Sequence, residues 1–358
     1  MGGSNSGQII ESVRSYDPKS WSCLHIAEGA LTCKNVIVQN NDIGPCGSDA
    51  FQEWADGISL ACRDSIVRNN MIQGATDGGI VIFGSPGSQI YNNTIWIVNV
   101  SINSSMNRAS FSVSSQQTLL GGINMVDYDP FEGDYTGVVV QNNIIKGGFS
   151  TDQPEPGSDP IDAIIKYVWT FLVTWFSYWE RLFLRIGIAI GPRVWFGDRY
   201  GNNVSRSGTV IGNSFSGAFS HAIAVTSAQN FTVQDNFLFE HTSFVGVRGP
   251  NCSTSDTLPS PAPWVIDTNT TSSSSIQADF VDIPDGDSLI CVQPPSGGDF
   301  WPSKLFSRAT ILRVQPRQIP GGGVAGFIIG ILLFLIGLFA AVCLIRRKLR
   351  KRQEFRGV

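Results

Sequence analysis

The chain has 358 residues, with 25 Lys and Arg against 29 Asp and Glu, a net charge of −4 and only 15% charged residues. A hydrophobic share of 42% excludes a disordered chain, and seven Cys are too few for a disulfide-dense scaffold. With 38 Gly and much Asn, Ser, Val and Ile, the composition favours β structure with many turns over a helical bundle.

Four Cys fall early, at Cys23, Cys33, Cys46 and Cys62. In an oxidising compartment they are expected to make two bridges, and three pairings are open. From residue 35 an internal period sets in. The segments NVIVQNNDI (35–43), SIVRNNMI (65–72), SQIYNNTI (88–95) and GVVVQNNII (137–145) each put a β-branched run before Asn and an apolar residue. GTVIGNSF (208–215) and FTVQDNFL (231–238) are weaker copies, and both Asn70 to Asn93 and Asn213 to Asn236 span 23 residues. A second element recurs as DGISL (56–60), GGIVI (78–82), GGINM (121–125), IGIAI (186–190) and HAIAV (221–225). Short strands repeating every twenty-odd residues predict a β-solenoid, with inward columns of Val, Ile and Leu and an Asn ladder at one corner.

The stretch NNDIGPCGSDAFQEWADGISLACRDSIVRNNMIQGATDGGIVIFGSPGSQIYNNTI carries a family resemblance. Over roughly residues 20–250 the chain resembles right-handed parallel β-helix proteins of the pectin-lyase-like superfamily. More narrowly, it is similar to uncharacterised fungal β-helix surface proteins with a C-terminal membrane helix. The resemblance implies an all-β fold, a right-handed single-stranded parallel β-helix over residues 1–250. It also implies action on polysaccharide, with catalytic groups supplied by neighbouring rungs along one sheet. The polygalacturonase set (N-T-D, D-D, G-H-G, R-I-K) is absent as a set, and Asp127-Tyr128-Asp129-Pro130 does not match the epimerase D-P-H-D.

Residues 101–117 are a Ser/Asn-rich excursion, and 127–134 and 151–159 are acidic loops. Tyr167–Arg185 (YVWTFLVTWFSYWERLFLR) fits no strand pattern, and its uncharged run of 13 residues is short for a membrane span. Lys-Tyr-Val at 166–168 can be encoded with the splice donor GTATGT, and Leu-Arg at 184–185 with an acceptor AG in the same phase. Residues 167–185 are therefore read as a retained intron, with an amphipathic hairpin or a membrane-dipping segment as the alternative. Residues 251–323 read as a Ser/Thr/Pro-rich loop and stalk, which a Cys252–Cys291 bridge could close.

Val324 to Ile345 is uncharged for 22 residues and predicts one transmembrane helix through the lipid bilayer. The basic tail 346–358 should stay cytosolic, which puts the bulk of the chain outside the cell. Such an anchor calls for a signal peptide, and MGGSNSGQII has none, so the expectation is a true N-terminus upstream. Without the tail, 18 basic residues face 28 acidic ones, a net of −10, which argues against a nucleic-acid partner. Sequons at Asn92, Asn99, Asn103, Asn203, Asn230, Asn251 and Asn269 agree with an outside location.

No phosphate loop, zinc motif or nucleophile elbow is present, and His25, His221 and His241 are the only histidines. Asp56 and His221 occupy the same slot before Gly57-Ile58 and Ala222-Ile223, and Asp77 stands one residue earlier in the next rung. Asp56, Asp77 and His221 are the catalytic candidates, because paired carboxyls serve as acid and base on a glycosidic bond. An Asp pair could instead hold Ca²⁺, and the plainer reading of each Asp-Gly is turn chemistry. Arg193, Trp195 and Arg199 are the substrate-binding candidates, because rings stack on pyranose faces and Arg pairs with carboxylates. The leading expectation is a lyase or glycoside hydrolase acting on cell-wall or plant polysaccharide. The alternative is a non-catalytic glycan-binding or adhesive surface protein.

Overall fold

The computed structural model describes residues 6–18, 21–27, 32–47, 54–96, 118–126, 132–147, 183–197, 203–239, 242–244, 247–248 and 260–293. All belong to the first of the chain's two units, Met1–Leu305. The predicted membrane helix 324–345, the tail, the acidic loops at 127–131 and 151–159, Cys252, Arg199, His241 and residues 167–182 lie outside the described residues. Phe183, Leu184 and Arg185, the last residues of the suspected insertion, open the strand Phe183–Ile190. Among the described residues no helix is long and apolar enough to cross a membrane.

The fold is all-β, built of three parallel sheets whose strands stack in register, an arrangement that fits a β-helix. The first sheet has eight strands, from Ile9–Glu11 through Ile37–Gln39, Ile66–Arg68, Gln89–Tyr91, Val139–Gln141, Thr209–Ile211 and Thr232–Gln234 to Ser275–Ile276. The second has seven, from Arg14–Ser15 to Phe237–Leu238. The long sheet runs from Ser22–Ile26 through Asp56–Leu60, Gly78–Ile82, Thr118–Met125, Phe183–Ile190 and Ala218–Val225 to Trp264–Ile266 and Val281–Asp282. Each circuit of the chain adds one strand to each sheet in turn.

The repeat has a direct physical reading. Ile10, Val38, Val67, Ile90, Val140, Val210 and Val233 stack in one column, all nearly fully buried. The Asn pairs divide two tasks. The first Asn of each pair takes the left-handed backbone that turns the corner, with φ of 56° at Asn40, 54° at Asn69, 54° at Asn92 and 52° at Asn142. Asn tolerates that conformation better than most residues. The second Asn is buried and bonds the next rung. Asn41 donates to Asn70, Asn70 to Asn93, Asn93 to Asn143, Asn143 to Asn213 and Asn213 to Asn236, all at 2.9–3.0 Å. Gln277 ends the ladder, accepting from Asn236 at 3.1 Å.

The second repeat element owes its glycines to a close approach. A Cβ on Gly57 would lie 2.5 Å from the Gly79 carbonyl and 2.5 Å from Ile72; one on Gly79 would lie 2.6 Å from the Gly122 carbonyl and 2.6 Å from Ile95. These glycines let the long sheet pass tightly against the apolar columns of the second sheet. Along strands such as Asp56–Leu60, Gly78–Ile82 and Ala218–Val225 the long sheet is buried on both faces. Its outer face is covered by a second apolar cluster that includes Ile186, Ala189, Ala224, Val265, Val194, Trp195 and Leu289. That double burial explains why Ala218–Val225 (AFSHAIAV) reads as a nearly continuous apolar run with no exposed residue.

Two disulfides, Cys23–Cys46 and Cys33–Cys62, staple the first two coils. The second joins equivalent corners of successive coils, since the neighbouring Lys34 and Arg63 are bridge partners.

Candidate functional site

The outer face of the long sheet carries the chemistry-bearing residues in two register columns. Ser22 pairs with Asp56, and the register of Ile58 with Ile80 sets Asp56 opposite Gly78. Gly78 pairs with Gly121, Gly121 with Ile186 and Ile186 with His221. The second column runs from His25 through Ser59 and Val81 to Asn124 and Ala189.

Asp56 lies on this face, and its carboxyl interacts electrostatically with that of Asp77. Asp56 is 5% exposed. Its Oδ1 accepts the Gly78 N–H at 3.0 Å and its Oδ2 accepts the Ser59 hydroxyl at 2.6 Å. Ser59 Oγ in turn lies 2.5 Å from Ser22 Oγ. Desolvation, and then the charge of Asp77, push the Asp56 carboxyl well above the usual carboxylate range, against the opposing pull of its two hydrogen bonds. Burial raises Asp77 to about 6. Burial thus favours the protonated form of both interacting carboxyls, an environment in which such a pair can divide acid and base roles.

Gly78 and Gly121 lie beyond the pair along the sheet, where a Cβ on Gly78 would stand 2.8 Å from Asn124 Nδ2. The glycines thus leave room for the Asn124 side chain to lie across the sheet. Asn124 accepts the Trp195 indole N–H at 3.2 Å. Trp195 sits on the short helix Arg193–Phe196, only 6% exposed, and the Arg185 guanidinium lies 5.9 Å over its ring. The indole thus faces protein, and stacking on a sugar would require that cover to move. Arg193 is half-buried on the same helix, with its Cβ against Gly286. Arg185 itself is buried, donates to the Leu289 carbonyl, and is lowered to about 9 by desolvation.

His221 shares the Asp56 column but lies four strands away, about 19 Å at ~4.8 Å per strand. Its Nδ1–H donates to the Ala262 carbonyl at 2.9 Å, which leaves Nε2 as the unprotonated nitrogen. Burial, with the Arg185 charge as a smaller cause, lowers it to about 4 despite the bond to Ala262. The common slot of Asp56 and His221 is therefore real as register, yet it does not make them one site. Asp56 has instead Ser59, three residues on along its own DGISL strand, and Ser22 across the sheet as neighbours. Ser22 has no motif, and only the register of strands 34 positions apart brings it in.

For calcium, the two Asp offer few ligands. Asp56 already receives two protein donors, and Ca²⁺ takes about six to eight oxygens. Among the described residues no group of three or more His, Cys, Asp and Glu is arranged to hold a metal ion. Of the sequons, Asn92, Asn230 and Asn269 are exposed, Asn203 is half-buried, and Asn99, Asn103 and Asn251 lie outside the described residues.

Compared with protein-family models, curated proteins and solved structures, this chain matches none. The functional reading therefore rests on the site.

Proposed function

We propose that this chain is an extracellular, membrane-anchored β-helix protein of the right-handed pectin-lyase-like kind that cleaves a glycosidic bond of cell-wall polysaccharide with Asp56 and Asp77. The observation that carries the reading is the pair itself: two interacting carboxyls beside the long sheet, both raised, with Asp77 at about 6. Burial holds the Asp56 carboxyl toward its protonated form, which suits a general acid, while Asp77, at about 6, suits the base. In hydrolysis Asp56 gives its proton to the glycosidic oxygen as the bond to the anomeric carbon breaks. Asp77 takes a proton from the water that attacks that carbon. Ser59 and the Gly78 N–H hold the Asp56 carboxyl in place. The location rests on three features: the disulfides suit an oxidising compartment, the exposed sequons suit glycosylation, and the uncharged 324–345 run suits an anchor.

A second reading is glycan binding without chemistry. It is favoured by the depth of Asp56, whose two oxygens are both engaged by protein donors, as in a purely structural bridge.

The test is to incubate the full chain in detergent micelles with plant and fungal polysaccharides and to read products by mass spectrometry. Products are expected from the wild type and should fall at least about a hundredfold in Asp56→Asn and Asp77→Asn, the scale of a lost acid or base. Absence of products from the wild type, or equal products from both variants, would remove the catalytic reading.

A further inference from the structure

The first strand of the long sheet presents an aromatic pair beside the carboxyls. Trp21 is 59% exposed, whereas Trp195 and Trp264 are each 6% exposed. The Trp21 ring lies 5.0 Å from the His25 ring at 31°, so an imidazole backs the indole. The Trp21 carbonyl accepts the Asp56 N–H at 2.8 Å, and His25 is the register partner of Ser59. The next residue, Ser22, reaches Asp56 through Ser59. The aromatic pair thus sits one strand, about 5 Å, from Asp56, and Asp77 precedes the strand beyond, about 10 Å away. Partial burial holds His25 below its usual range, so it backs the indole as an uncharged ring at neutral pH.

We propose that Trp21, backed by His25, is a sugar-stacking subsite that takes one pyranose ring of a glycan whose next linkage reaches Asp56 and Asp77. This rests on the glycan reading above and adds the ring that positions the chain. The chemistry is that of an amphipathic ligand. A pyranose presents a C–H face to an aromatic plane and hydroxyls at its edge. An indole is well suited to a surface that is half wet and half apolar.

The probes are cellohexaose, laminarihexaose, chitohexaose, mannohexaose and hexagalacturonate, titrated calorimetrically into the full chain in micelles. At least one should bind the wild type. Trp21→Ala should weaken that Kd about tenfold, or ~1.4 kcal/mol, with its unfolding midpoint unchanged, and Trp21→Phe should stay within about threefold. Binding unaltered by Trp21→Ala, or no binding by any of the five, overturns the subsite. The two readings separate cleanly. Product loss in Asp77→Asn with unaltered Trp21→Ala affinity sinks the subsite alone. Binding that depends on Trp21 with no product from the wild type keeps the subsite and removes the catalysis.

Discussion

Replacing Asn143 by Ala tests the ladder where it is deepest. Asn143 is fully buried and its side chain makes four hydrogen bonds. Its Oδ1 accepts from Asn93 N and Nδ2, both at 3.0 Å, and its Nδ2 donates to the Ile90 carbonyl at 3.0 Å and to Asn213 Oδ1 at 2.9 Å. The losses are unequal. Asn93 Nδ2 keeps the Val67 carbonyl at 2.9 Å, and Asn213 Oδ1 keeps the Asn143 N–H at 3.0 Å. The Asn93 N–H is orphaned in the interior, at about 1–3 kcal/mol, and each other lost bond costs about 0.5–1.5 kcal/mol. The expected total is about 2.5–7.5 kcal/mol, against a typical domain stability of about 5–15 kcal/mol. The assay is equilibrium urea unfolding followed by far-ultraviolet circular dichroism, read as a shift in midpoint at constant slope. The control is its exposed neighbour Asn142, whose φ is 52°. Asn142→Gly should change stability by less than about 0.5 kcal/mol, because glycine adopts that backbone freely. A loss below about 1 kcal/mol for Asn143→Ala would refute the claim that the side-chain ladder, and not the apolar columns alone, holds the rungs together.

Other outcomes follow from the same geometry. Gly79→Ala puts a methyl 2.6 Å from the Gly122 carbonyl and should cost at least about 1–3 kcal/mol of overpacking, seen as a lower urea midpoint. Replacing Cys33 and Cys62 together by Ser should cost about 3–4 kcal/mol by the loop-entropy estimate for a 29-residue separation. Non-reducing peptide mapping should recover Cys23 linked to Cys46 and Cys33 to Cys62. The pH dependence has two opposing parts. Asp77 is raised from 3.8 to about 6 in the folded state, so its contribution is full below pH ~3.8 and is lost as pH rises through about 6. His221 is lowered from 6.5 to about 4, so the folded state loses stability as pH falls across that window. Urea midpoints measured from pH 4 to 7 should therefore rise more steeply with pH in Asp77→Asn and less steeply in His221→Gln than in the wild type.

Much of the fold was legible because a solenoid repeats its demands at every turn. Asn70, Asn93, Asn213 and Asn236 stand at one period because each must bond the next, and Val38, Val67 and Ile90 recur because each fills the same layer. The Gly column at 57, 79 and 122 was visible as a repeat, although its cause, the approach of a carbonyl on the next rung, was not. A property that every coil needs leaves a periodic trace in the chain. The candidate site needs its residues once. Asp56 and Asp77 were singled out from their slots, and the tertiary structure puts them together. The same slot suggested His221, yet slot alone carries no distance, and three strands intervene. Ser22, His25 and Trp21 left no signal, because their approach to Asp56 and Ser59 depends on register between strands separated by the whole circuit of a coil. The disulfide pairing was open for the same reason, since spacing allowed three connectivities and only the stacking of corners brings Cys33 beside Cys62. Trp195 shows the converse, because an aromatic beside arginines reads alike whether it is open to a ligand or covered. Sequence by itself determined the repeating β architecture, through periodic burial and periodic hydrogen bonding. Tertiary structure decided which single side chains meet and which are covered, because those depend on distances across coils.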